Sequence, residues 1–172
     1  MLPNLLLSLA LAGTFDVTGQ LGANAPFGAL EFNQRGGITG GIALGYNSGR
    51  SRFELLNELS QLPGSQQAAY SLLNYRLAAS YHHALTMKTD WLVRAGLGLD
   101  WNNLQRSLGG KAETGSVIGG TVVFTYVRRF GPPQFSFQLF GSELFEFGRT
   151  GNNRTVVPAT VVGIKIGAGY EF

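Results

Sequence analysis

From Val162 to Phe172 every second residue is apolar: Val162, Ile164, Ile166, Ala168, Tyr170 and Phe172. Between them stand Gly163, Lys165, Gly167, Gly169 and Glu171, which are polar or lack a side chain. A period of two belongs to an extended strand whose side chains alternate between two faces. The same alternation picks out eight segments, roughly 4–18, 37–47, 51–60, 69–82, 89–102, 116–128, 134–146 and 158–172. The links after the second, fourth and sixth are short: Asn47 to Arg50, His83 to Lys88 and Arg129 to Pro133. Those at 19–36, 61–68, 103–115 and 147–157 are mostly longer.

The first segment carries two signals. Leu5 to Ala12 resembles the apolar region of a secretory signal, and Ala10-Leu11-Ala12 resembles a cleavage site. Yet no Lys or Arg precedes it, and the alternation continues through Phe15, Asp16, Val17 and Thr18. It is therefore read as the first strand of a mature chain, with Met1 an added start and the export signal outside this sequence.

Charge tells the two faces apart. Asp16, Glu54, Glu58, Arg76, Arg94, Asp100, Lys165 and Glu171 all lie on the parity opposite the apolar series. A soluble eight-stranded barrel has a greasy interior and a wet exterior. An unbroken apolar belt with the charges inside suits lipid instead. Composition adds that only 13% of residues are charged, yet no apolar run reaches the ~20 residues of a spanning helix. With no cysteine, disulfides and thiolate metal sites are excluded. The net charge of +3 is small and scattered, so no nucleic-acid surface is expected. The reading is one domain, residues 1–172: an all-β, eight-stranded, antiparallel up-and-down transmembrane barrel.

The ending, terminal Phe172 with Tyr170 two before it, resembles the carboxy-terminal signature of bacterial outer-membrane β-barrels of the small OmpA/OmpX-like type. That resemblance implies an outer-membrane location, Tyr170 and Phe172 as an assembly signal read by the barrel-assembly machinery, and contact with membrane lipid and lipopolysaccharide. Short periplasmic turns and longer outer loops are the rule for such barrels, so both termini are expected in the periplasm. The cations Arg35, Arg106, Lys111, Arg149 and Arg154 are placed to meet lipopolysaccharide phosphates.

Aromatic residues supply a ruler. Trp91 and Trp101 share the outward parity ten residues apart, which spans ~25 Å along the membrane normal at a tilt of ~40°. Tyr46, Tyr81, Tyr126, Phe135 and Tyr170 fall near the turn ends of their strands, and Phe15, Phe145 and Phe147 are expected near the outer ends. Together they read as two aromatic girdles.

Inside, eight strands leave room only for side chains, so a plugged lumen is expected. Glu54 and Arg76 are expected to form an ion pair, with Arg94 and Lys165 at similar depth; this resembles the interior network of OmpA-type barrels. Two residues break the outward pattern, Asn57 and Glu143. Each marks a register shift (for Glu143, Gly141 is a candidate cause), an interfacial position, or contact with another protein. The adjacent His82 and His83 point to opposite faces and cannot share a metal. A hydrolytic set of Ser80, His82 and a carboxylate is conceivable, as in lipid A-modifying barrels, but the histidines sit at the end expected in the periplasm. No catalytic, cofactor or metal residue is assigned. The favoured role is structural, as a scaffold or small subunit of an outer-membrane complex. A surface-binding, adhesin-like barrel comes next, and a lipid A-modifying enzyme last.

Overall fold

The computed structural model describes residues 13–28, 34–64, 71–108, 111–145 and 159–172. They form eight strands: β1 (Thr14–Gly28), β2 (Gly37–Ser48), β3 (Ser51–Leu62), β4 (Leu72–Met87), β5 (Trp91–Leu108), β6 (Lys111–Arg129), β7 (Pro133–Phe145) and β8 (Ala159–Glu171). Each pairs antiparallel with its neighbours in sequence, and β8 pairs with β1 from Asp16↔Glu171 to Gly28↔Ala159, closing the barrel. Both described termini and the β2–β3, β4–β5 and β6–β7 turns lie at one end, called here the turn end; the other is the loop end. Two turns rest on glycines in the left-handed region, Gly49 (φ 57°) between β2 and β3 and Gly131 (φ 84°) between β6 and β7.

The pairing fixes the barrel's dimensions. A row of paired residues runs Val17, Leu44, Leu55, Ala79, Leu99, Gly120, Glu143, Thr160 and back to β1 at Phe27, ten residues beyond its start. Eight strands with a stagger of ten tilt by about 40°, which leaves an interior side chains can fill. One residue then climbs about 2.5 Å along the axis, and one strand step along a row climbs about 3 Å.

Sidedness follows the alternation. On β3 the inward residues Arg52, Glu54, Leu56, Glu58, Ser60 and Leu62 are all buried, and Phe53, Leu55, Asn57, Leu59 and Gln61 are exposed. Around the outside stand Leu21, Ile38, Leu97, Leu99 and Ile166, each about two-thirds exposed. A surface of this kind is stable against hydrocarbon and not against water.

Several expected boundaries move. The first strand is 14–28, not 4–18, and the segment 4–12 lies outside the described residues. Gly19, Gly22, Asn24 and Pro26 resemble loop composition, but Gln20 and Asn24 keep the inward parity and are buried. Pro26 lies past the last β1–β2 pair, Asn24↔Gly37, and so disrupts no bond to β2. Phe15 therefore stands at the turn end, its ring 5.1 Å from that of Tyr46, not near the outer end. The segment 103–115, expected as a loop, is mostly a continuation of β5 and β6, paired from Asn103↔Ser116 to Leu108↔Lys111. The fourth strand runs on to Met87 through a register shift between Ala84 and Thr86, which moves His82 off the turn and into the barrel.

A closed barrel with this exterior should migrate on a denaturing gel as a compact band at room temperature and shift to its full-length position after boiling. A chain that stays monomeric and soluble without detergent would contradict the fold.

Candidate functional site: the charged lumen

The inward parity delivers charged side chains into a space with little water, where each needs a partner. They sort into two sets. Toward the turn end, the Arg52 guanidinium bridges Asp16 and Glu54, with Nη2 2.8 Å from Glu54 Oε2. Asn47 donates to Asp16 Oδ2 at 2.7 Å and accepts from Arg94 Nη2 at 2.8 Å, so Arg94 reaches Asp16 through an amide. Toward the loop end, Arg76 bonds Asp100 through Nε at 2.6 Å and Glu58 through Nη1 at 3.4 Å. Lys165 pairs with Glu58, and Ser142 donates to Asp100 at 2.8 Å. The Phe140 ring lies beneath both cations, 4.3 Å from Lys165 Nζ and 5.7 Å from Arg76 Cζ. Each set holds two acids and two bases and is neutral by itself. Along β3 they are separated by Leu56, which packs with the inward Ala43 and Ala78.

Glycines make this packing fit. A side chain at Gly45 would strike the Arg52 guanidinium, one at Gly22 would strike Lys165, and one at Gly119 would strike Asp100. Among the described residues, two small cavities of about 20 Å³ lie between these groups. Each has room for about one water molecule. One touches Arg52, His82 and Gln138, and the other touches Asn74, Asn102 and Leu104.

Glu54, Arg76, Arg94 and Lys165 are all inward and buried. The expected Glu54–Arg76 pair does not form. The residue opposite Arg76 is Glu58, and Glu54 lies opposite Ser80. Parity settles only which face a residue takes, and the long β3–β4 connection leaves shifts of two or four residues open. Arg52, which holds two carboxylates, went unassigned, although it shares the parity of Glu54 two residues away. His82, expected at the very end of its strand beside the turn, is instead buried in the lumen. Ser80 Oγ lies 2.8 Å from His82 Nε2, and Glu54 Oε1 lies 3.8 Å from the same nitrogen. A hydrolytic relay needs the acid on Nδ1 and the hydroxyl on Nε2, so this arrangement is not one.

The aromatic positions form clusters at both ends. Near the turn end, Phe53 lies against Tyr81 (5.3 Å), Trp91 against Tyr126 (6.3 Å) and Tyr170 against Phe172 (5.2 Å). Near the loop end, Trp101 meets Tyr75 edge-on at 6.1 Å. Phe147 lies outside the described residues. The two outward polar residues are real, since the pairing of β7 runs through Gly141 without a shift. Glu143 accepts a 2.6 Å bond from Thr160 near the loop end. Asn57 donates to Tyr75 Oη at 3.1 Å.

No protein-family model matches the chain, and no curated relative does. Solved structures do. The crystal structure of Neisserial surface protein A superposes with a TM-score of 0.72 at 16% identity, covering 92% of this chain and 97% of that one. The outer-membrane protein OprG of Pseudomonas aeruginosa gives 0.65 at 11% identity, covering 94% and 96%. A major outer-membrane protein of Thermus thermophilus gives 0.64 at 14%, covering 94% and 100%. At these identities the likeness is one of fold. The fold is that of an eight-stranded transmembrane β-barrel, the kind these outer-membrane proteins adopt.

The pairing can be tested by double-mutant cycles in urea, in detergent or lipid. Losing either Glu58 or Arg76 should cost about 3–5 kcal/mol, because the loop-end set is then left with one uncompensated buried charge. Glu58→Leu with Arg76→Leu should cost less than the two singles together, by about 0.5–3 kcal/mol. Glu54→Leu with Arg76→Leu should be additive within about 0.5 kcal/mol. The reverse outcome would restore the Glu54–Arg76 pair.

Proposed function

We propose that the protein is a structural barrel of the bacterial outer membrane, a scaffold or small subunit of a larger assembly in that membrane. The observation that carries this reading is the filled lumen. Two neutral, mutually bonded charge sets and Phe140 occupy the interior, and the two cavities among the described lumen residues are each about the size of one water. Such an interior supports a wall, not a conduit or a reaction chamber. The turn end, with its tight turns and both termini, is assigned to the periplasm by the usual asymmetry of such barrels. Exposed Arg35 at the loop end suits lipopolysaccharide phosphates. Asn57 and Glu143 are the positions assigned to contact with a protein partner. A surface-binding role is the second reading; what favours it is the β5–β6 hairpin, whose paired strands run past the last β6–β7 pair, Ile118↔Phe145.

Planar-bilayer recordings of the purified barrel should show no stable conductance steps. Steps of uniform size that vanish when the lumen charges are replaced would overturn the structural reading. Phe172 is 72% exposed, its ring against Tyr170 and its N–H bonded to Phe15 O at 2.8 Å. As an assembly signal it acts before the barrel is closed. Deleting it should lower the amount inserted in cells several-fold while leaving the urea midpoint of the inserted fraction nearly unchanged. Insertion at the wild-type yield would remove that role.

A further inference from the structure

On the outward face of β3, Phe53, Leu55, Asn57, Leu59 and Gln61 follow one another up the wall. Asn57 is four residues above the turn-end aromatic Phe53 and four below the polar Gln61. At about 2.5 Å of height per residue, it lies about 10 Å from each, at the centre of an apolar band about 25 Å tall. No water reaches that depth, and a polar group facing lipid there is costly. The Asn57 amide uses one N–H on Tyr75 Oη, at 3.1 Å. Asn57 is exposed on the lipid face, and no second hydrogen bond of its side chain is seen among the described residues. Glu143 raises no such question, because it sits near the loop end and bonds Thr160.

We infer that this face of the barrel, centred on Asn57, docks a second copy of the same chain. The inference rests on the reading that Asn57 marks a protein contact, and it names the partner. A carboxamide is its own complement: two of them facing each other form two reciprocal N–H···O=C bonds. The outward neighbours Ile42, Leu55, Leu59 and Leu77 carry no charge, so nothing on the patch calls for a partner of opposite sign. Two copies inserted the same way that meet through the same face are related by a twofold axis along the membrane normal. That axis, placed at Asn57, sets β4 of one copy against β2 of the other at equal height. On β4 the small side chain of Ala79 lies low between Leu55, Leu97 and Leu99, at one edge of a broad depression of about 980 Å³ that runs along the turn-end wall from β1 to β5. On β2, at nearly the same height by the row geometry, Ile42 projects with 57% of its surface exposed. Ile42 of each copy is placed against Ala79 of the other while the two Asn57 amides pair on the axis.

The chain has no cysteine, which makes the geometry directly testable. Within one chain, Ile42 and Ala79 are separated by the whole of β3, too far for a disulfide. The double variant Ile42→Cys with Ala79→Cys, oxidised in proteoliposomes, should therefore give a band at twice the 18.5 kDa mass that reductant collapses. Val122→Cys, on the opposite wall, should not dimerise at the same protein-to-lipid ratio. Asn57→Leu, checked for heat-modifiable migration, should weaken dimerisation measured by energy transfer between labelled copies roughly tenfold, while Asn57→Gln should retain most of it. Monomers only, or an Asn57→Leu variant that dimerises as well as wild type, would overturn the second copy as partner. A photoreactive residue at Leu59 in intact cells separates the two levels. Capture of a chain of another mass would overturn the homodimer and leave the partner reading standing. No adduct of any mass would overturn both.

Discussion

A backbone in hydrocarbon has no water to bond, so every N–H and C=O of the sheet must be met by another strand. That demand makes β8 close on β1, and the stagger at which it closes sets the rest. A shift of ten residues around eight strands fixes the tilt, and tilt and strand number fix the bore. The bore then decides which side chains can point inward. Only with glycine at positions such as Gly45, Gly22 and Gly119 is there space for Arg52, Lys165 and Asp100. The charged interior is thus a consequence of closure, made possible by residues that contribute no side chain at all.

Neutrality is the second consequence. Charged side chains with so little solvent need partners of opposite sign or hydrogen-bond donors. The carboxylates of the two sets meet this need: Asp16 at Arg52 and Asn47, Glu54 at Arg52, Glu58 at Arg76 and Lys165, Asp100 at Arg76 and Ser142. Phe140 adds its ring face where two cations come close. The lipid-facing wall obeys the opposite rule, and Asn57 is conspicuous because it breaks that rule at the depth where breaking it costs most.

Much of this was legible in the residue order, because the alternation of faces is a local property. Asp16, Glu54, Arg76, Arg94 and Lys165 could be assigned to the interior from parity alone, and the strand count and closure followed from the same pattern. Register was not legible. A strand slipped by two residues keeps every side chain on its face, so Glu54 and Glu58 were equally good partners for Arg76 until the pairing of Ser51 with His83 was seen. The first strand was misplaced because Gly19, Gly22 and Pro26 resemble a loop when read one residue at a time. His82 was misplaced with the end of β4, since the shift near Leu85 interrupts the alternation. The hydrogen bond from Asn57 to Tyr75 depends on a diagonal across two strands, which no single-strand pattern contains.

The small apolar layer of Leu56, Ala43 and Ala78 has a consequence for inheritance. It divides the interior into two units whose charges balance separately, so a substitution in one has to be compensated only by neighbours in the same unit. Descendants of this chain can rewrite the turn-end set without touching the loop-end set, and the reverse. Covariation among relatives should therefore fall into two blocks, Asp16 with Arg52, Glu54 and Arg94, and Glu58 with Arg76, Asp100 and Lys165, joined by little more than the methyl groups between them.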